Sequence, residues 1–126
     1  MKIEISNGEI LDKISILQIK KERIEDKDKL QNIEKEFYEL WPLYEQLVTT
    51  DEIAWKYAKL KSVNESLWEI EDQIREYEKN QDFQGRFIEL ARLVYITNDR
   101  RAKIKKEINI LTGSNLIEEK SYKEYK

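Results

Sequence analysis

Cysteine and histidine are both missing from this 126-residue sequence. Without cysteine the chain has no disulfide and no thiolate–zinc site, and without histidine it lacks the commonest general base and transition-metal ligand. Any catalysis would therefore depend on carboxylates, lysine, tyrosine or arginine, with a hard cation such as magnesium as the natural cofactor.

Glycine and proline are scarce, at 3 and 1 residues, which argues against a fold of many short strands and tight turns. No apolar run approaches the ~20 residues of a membrane span, and the first residues do not resemble a signal peptide. The 23 basic and 26 acidic side chains nearly cancel, so we expect neither nucleic acid nor a membrane as partner. We predict a cytoplasmic protein with one domain, residues 1–126.

Apolar residues recur every three or four positions along most of the chain, which predicts an all-α fold. Short breaks near residues 25–28, 48–51 and 80–82 indicate an antiparallel bundle of three to four long helices. Ser6 to Glu9 matches a capping box at the start of the first helix, and Gly113 suits the left-handed position after the last. Pro42 lies inside the second helix, which it should bend or split.

The two ends of the chain follow different patterns. Residues 2–5 alternate polar and apolar side chains and predict a short N-terminal strand, which would need the C-terminal tail or another subunit as its pairing partner. Residues 113–126 mix apolar and charged side chains. This pattern leaves open whether they form an ordered arm or a frayed tail.

Polar residues interrupt the apolar seams of the third and fourth helices at similar heights. If these helices form a hairpin through residues 80–81, facing residues have numbers that sum to about 161, because each helix rises ~1.5 Å per residue. This register predicts a polar layer of Asn64, Thr97, Asn98 and Arg101. A buried arginine needs an acidic partner or several acceptors. The layer therefore fixes the helix register, lies at a subunit interface, or lines a pocket in which Arg101 binds a small anion.

Glu65, Glu69 and Asp72 share one face of the third helix and form a candidate acidic cluster. Glu36-x-x-Glu39 and Glu69-x-x-Asp72 resemble the magnesium-binding pattern of the all-α nucleoside triphosphate pyrophosphohydrolases called MazG-like enzymes. The resemblance is incomplete, because Lys35 replaces one glutamate of the motif. A solvated helix face is the simpler interpretation. We predict no metal site and no cofactor, with magnesium required only under this alternative.

Ile88, Ala91, Tyr95 and Ala102 give the fourth helix a second apolar face. A bundle of this size has no further element to cover such a face, so the pattern favours a homo-oligomer, most simply a twofold dimer. The basic run at residues 100–106 has no aromatic interleaving and is weak evidence for nucleic acid.

Several stretches resemble a small family of uncharacterised bacterial proteins of about this length: residues 8–17 (GEILDKISIL), 67–72 (LWEIED), 87–92 (FIELAR), 98–102 (NDRRA) and 118–122 (EEKSY). The resemblance covers nearly the whole chain. It implies a domain of unknown function and transfers no catalytic residues. We predict an interaction or assembly module that forms a homo-oligomer, and the sequence leaves open whether the chain is an enzyme. The alternatives are a magnesium-dependent nucleotide phosphohydrolase and a small-anion-binding bundle.

Overall fold

A computed structural model describes residues 1–120, which contain four α-helices and no β-strand. The helices are α1 (Asn7–Arg23), α2 (Lys27–Leu47), α3 (Asp51–Lys79) and α4 (Gly85–Thr112). The prediction of an all-α bundle is confirmed. No helix in this part of the chain has the length and apolar composition needed to cross a membrane.

Side chains at the predicted breaks cap three of the helices. Ser6, Asp26 and Thr50 each accept a hydrogen bond from the backbone amide three residues later, at 3.2, 3.0 and 3.2 Å. Gly113 ends α4 with a φ of 65°, the left-handed conformation that glycine adopts without strain. Pro42 does not split α2, which runs from Lys27 to Leu47 without interruption.

The central helix is α1, which packs against each of the other three, while α3 and α4 form a long hairpin. Lys56 Nζ lies 2.7 Å from Glu107 Oε2, and Arg86 Nη2 donates to Gln73 Oε1 at 3.4 Å. The residue numbers of these two pairs sum to 163 and 159, close to the register that the sequence predicted. Asn64 and Thr97 therefore lie at about the same height in the hairpin.

The main hydrophobic core lies where α1 meets the other helices, and its buried residues are three or four positions apart along α1, α3 and α4, with one residue from α2. They are Leu11, Ile14, Leu17, Phe37, Ile53, Tyr57, Leu60, Ile104 and Ile108. Aromatic rings extend this core between α2 and α3. The rings of Trp41 and Tyr44 stack with centroids 4.3 Å apart, and Tyr44 meets Tyr57 edge-on at 4.8 Å.

The prediction of an N-terminal strand is wrong, because residues 1–6 form no regular structure. The C-terminal tail offers this segment side chains rather than the edge of a second strand. Ser114 Oγ accepts from the Asn7 amide at 3.1 Å, and Asn115 Nδ2 donates to Glu4 Oε1 at 3.2 Å. These contacts fix the start of α1 without a β-ladder.

The described part of the tail, residues 113–120, also lacks regular structure and lies along the end of α4. Lys105 Nζ lies 3.3 Å from Glu118 Oε2, and Lys106 Nζ lies 3.0 Å from Glu119 Oε1. The rest of the predicted arm or frayed tail, residues 121–126, lies outside the described residues.

Gly8 lies where α1 packs closely against α4, and its amide donates to Asn109 Oδ1 at 2.6 Å. A Cβ at Gly8 would lie 2.5 Å from the Lys105 carbonyl oxygen, whereas a Cβ at Gly85 would have open space. We expect Gly8→Ala to lower the free energy of unfolding by about 1–3 kcal/mol, although alanine favours helices. Gly85→Ala should leave it unchanged or raise it by up to ~1 kcal/mol. Equal responses of the two variants to urea would contradict this close packing.

Tyr57 connects α3 to α1, because its hydroxyl donates to Gln18 Oε1 at 2.7 Å. Burial raises the pKa of Tyr57 above its ordinary value of 10.0, and the nearby Tyr44 and Glu22 raise it further. The folded state therefore holds this proton more tightly, and the stability it contributes is complete below pH 10.0 and is lost as the pH rises. Between pH 9 and pH 11 the Tm should fall more in the wild type than in Tyr57→Phe. Parallel melting curves would refute the assignment.

Candidate functional site

Asp12 is the centre of a buried polar network that joins α1, α3 and α4. Its side chain is only 1% exposed. Asn64 Nδ2 donates to Asp12 Oδ1 at 2.9 Å and to Ser15 Oγ at 2.8 Å. Arg101 Nε donates to Asp12 Oδ1 at 3.0 Å, while Arg101 Nη2 donates to Asp12 Oδ2. A single carboxylate thus accepts from two other helices, and the arginine contacts it in the two-point geometry that such pairs prefer.

The face of α1 that carries Asp12 is suited to close packing. Gly8, Asp12, Ser15 and Ile19 follow one another at intervals of three and four residues, and all four are buried. Ser15 Oγ also donates to the Asp12 carbonyl oxygen at 2.7 Å. In residues 1–120, every fully buried side-chain nitrogen or oxygen has a hydrogen-bond partner. Burial of these polar groups therefore leaves no orphaned donor or acceptor in the network.

Two cations on α4 balance the buried carboxylate. The hydrogen bond to Asp12 raises the pKa of Arg101, which outweighs the opposing effect of burial. Burial alone would lower the pKa of Lys105, but its hydrogen bond to Glu9, at 2.6 Å, and the attraction of Asp12 produce a net rise. Both side chains are therefore charged at neutral pH, as the pairing of a buried carboxylate requires.

The four residues of the predicted polar layer lie at one level of the bundle, but they do not bond mainly to each other. Asn64 and Arg101 meet on Asp12, and Asn98 Oδ1 accepts from Arg101 Nη1 at the long distance of 3.5 Å. Thr97 is buried on α4, one position before Asn98. The sequence thus indicated that Arg101 needs an acid without identifying it, and Ser15, Lys105 and Asn109 were also missed. The available signal was an acid spaced with Gly8 and Ser15 along one face of α1.

The predicted acidic cluster lies on the surface of α3. Arg23 Nη2 from α1 lies 3.9 Å from Glu65 Oε2 and 3.4 Å from Glu69 Oε1, while Asp72 is exposed. No group of three or more acidic side chains within residues 1–120 is arranged to hold a metal ion. The arrangement can instead stabilise the α1–α3 contact by a small amount, as is typical of exposed ion pairs.

A cleft of about 350 Å³ opens beside the Asp12 network, between α1, α2 and α4. Its volume is within the range of sites for small molecules. Six residues of α1, three of α2 and Arg101 of α4 line it: Glu9, Asp12, Lys13, Ile16, Leu17, Lys20, Asn32, Ile33, Glu36 and Arg101. The network and the cleft share Asp12 and Arg101, so the chemistry of one affects the other.

Comparison with known proteins gives a family but no function. A family model that covers residues 1–125 matches the chain, and its description is "Family of unknown function (DUF6165)". No curated protein and no solved structure matches. The resemblance to an uncharacterised family, which the sequence indicated, is therefore confirmed.

Loss of either member of the central ion pair should be costly. We expect Asp12→Ala to lower the free energy of unfolding by about 3–5 kcal/mol, because the buried donors lose their acceptor. Arg101→Ala should also destabilise the fold, since it leaves a buried carboxylate with less compensation. The double variant should lose at least ~1 kcal/mol less than the sum of the two single losses, measured by urea unfolding at pH 7.

Lys103 offers a control for this cycle, because it is an exposed cation on the same helix. Lys103→Ala should change the stability by no more than about 0.5 kcal/mol. Strict additivity of Asp12→Ala and Arg101→Ala would show that the two side chains do not act as a unit.

Proposed function

The chain belongs to the DUF6165 family, whose function is unknown, and we propose that it is an assembly module that forms a twofold homodimer. The proposed interface is the hairpin end, defined here as residues 65–100 of α3 and α4. The observation that carries the proposal is an apolar stripe on this end that no other described helix covers. The following features support it.

The hairpin end extends past the rest of the bundle. The helices α3 and α4 have 29 and 28 residues, whereas α1 has only 17. Arg23, the last residue of α1, lies level with Glu69 of α3, because their side chains are 3.4 Å apart. About 10 residues of α3, or ~15 Å, therefore lie beyond α1. Because α2 begins at Lys27 and packs back along α1, it leaves this part of the hairpin uncovered.

An apolar stripe lies on the exposed side of the hairpin end. Ile88 and Tyr95 have 56% and 42% of their surface exposed, and Ala91 between them is exposed as well. They follow the helical spacing that the sequence predicted for a second apolar face. Two helices alone cannot cover both sides of their apolar residues. A second hairpin packed against this stripe would complete a four-helix arrangement at the interface.

The charges of the hairpin end favour a second copy as the partner. On α3, residues 65–79 contain six acids and two bases, a net charge of −4. On α4, residues 85–100 contain three arginines and two acids, a net charge of +1. A twofold axis that places α3 of one protomer beside α4 of the other brings opposite charges together at both contacts.

The phosphohydrolase alternative has less support from the same residues. The carboxylates of the phosphohydrolase alternative lie on the surface, and Glu65 and Glu69 pair with Arg23. The proposal requires no metal, nucleic acid or membrane. It places the dimer in the cytoplasm, a reducing compartment that suits a chain without cysteine.

Sedimentation velocity over a range of protein concentrations tests the proposal. We expect a dimer in the wild type and a monomer in Ile88→Glu, with the dimer Kd raised at least about tenfold, because the variant buries an unpaired charge at the interface. Ile110→Glu is the matched control. Ile110 is on the same helix and is 64% exposed, but it lies near the opposite end of the molecule.

The control variant should sediment like the wild type, and circular dichroism should show the same helix content in all three proteins. A wild type that stays monomeric at every concentration would refute the proposal. A dimer that Ile110→Glu disrupts and Ile88→Glu does not would place the interface at the other end and also refute it.

A further inference from the structure

The cleft between α1, α2 and α4 carries an inference that does not depend on the dimer. We propose that it binds a small organic anion, whose carboxylate or phosphate group lies above Ile16, between Arg101 and Lys20. The apolar body of the ligand would lie on the aliphatic side chains of the cleft. None of the α1 and α2 residues that line the cleft belongs to the hairpin end.

Arg101 is held ready for such a ligand. Two of its nitrogens, Nε and Nη2, are directed to Asp12, which is itself buried and cannot move away. The third nitrogen, Nη1, has Asn98 as a partner only at 3.5 Å, the outer limit of a hydrogen bond. The side chain lines the cleft and is 27% exposed. Nη1 can therefore donate a further hydrogen bond. Because the guanidinium group is already held in place, it binds an anion with little loss of entropy.

Lys20 supplies a positive charge that the cleft does not neutralise. The three acids in the lining each have a cation: Glu36 pairs with Lys13 at 2.8 Å, Glu9 with Lys105 at 2.6 Å, and Asp12 with Arg101. The ion pairs within residues 1–120 leave Lys20 without an acid. The cleft can therefore accept one more negative charge without displacing an existing pair.

The spacing on α1 brings this charge toward Arg101. Asp12, Ile16 and Lys20 are four residues apart, so they lie on one line along the helix. Helical side chains lean toward the N-terminus, which extends Lys20 back over Ile16 in the direction of Asp12 and its bound arginine. An anion above Ile16 would thus have a directed donor on one side and a flexible cation on the other.

The rest of the cleft selects the body of the ligand. Ile16 and Leu17 of α1 and Ile33 of α2 line it with aliphatic carbon, and Asn32 adds one neutral polar group. Inorganic phosphate would leave this apolar surface in contact with water, whereas an anion with a hydrocarbon part would cover it. The cleft therefore fits an organic carboxylate or phosphate better than a bare ion.

Titrations followed by ¹⁵N-resolved NMR test the inference with three probes of matched body: hexyl phosphate, hexanoate and hexan-1-ol. We expect saturable shifts of the Ile16, Leu17 and Ile33 amides with at least one of the two anions, and binding at least tenfold weaker with the alcohol. Saturation by hexyl phosphate alone or by hexanoate alone would support the inference and identify the head group.

Variants separate the site from general electrostatic attraction. Lys20→Gln should raise the Kd of the anion at least fivefold, and Arg101→Lys should raise it more, since lysine lacks the fixed donor geometry. Lys103→Gln, which changes an exposed cation outside the cleft, should leave the Kd unchanged. Ile88→Glu should bind normally, so failure of the dimer would leave this inference intact.

Two outcomes would overturn the inference. One is the absence of saturable shifts with both anions up to millimolar concentrations. The other is binding in which hexan-1-ol equals the anions, or in which Lys20→Gln and Lys103→Gln behave alike, because the cleft would then act only as an apolar surface.

Discussion

The carboxylate of Asp12 accepts hydrogen bonds from Asn64 of α3 and from Arg101 of α4. The position of the central helix, α1, depends on these bonds. A carboxyl group that is only 1% exposed is tolerated only when its hydrogen-bond and ion-pair partners are in place. The network therefore disfavours alternative arrangements of the three helices, since a shift by one turn would leave the charge unpaired. Hydrophobic packing alone would tolerate such shifts more readily, because apolar contacts are not directional.

The helices and the hairpin register could be predicted because they follow from local periodicity and from a constant rise per residue. Asp12 was missed because α1 is buried on two faces, and the sequence does not show which face meets the hairpin. The prediction of an N-terminal strand was wrong for a similar reason. Alternation over four residues does not determine the structure of a segment whose hydrogen-bonding groups pair with distant side chains, here Ser114 and Asn115. What the sequence lacked in each case was the identity of a partner about 90 or more positions away.

The cleft and the hairpin end differ in how many of their charged and polar groups already have partners in the same chain. Around the cleft, most charges have partners in the same chain, and the capacity that remains is one cation and one edge of Arg101. At the hairpin end, α3 and α4 carry opposite net charge beside an exposed apolar stripe. The cleft suits a small ligand with one negative charge. The hairpin end suits a second protomer, whose α3 and α4 would lie beside α4 and α3 of the first. The acids of α3 thus contribute to recognition by their collective charge rather than as ligands of a metal.

The bond between Gly8 and Asn109 joins positions 101 residues apart, and that between Asn7 and Ser114 spans 107. Closing such long loops is slow, so the first helix cannot reach its final environment until the last one is available. During synthesis on the ribosome, α2 and α3 can cover their sides of α1, but the side that packs against α4 stays uncovered until some ninety further residues have emerged. A chain built in this way depends on its C-terminal region for completion, so truncation there would expose the helix that was made first.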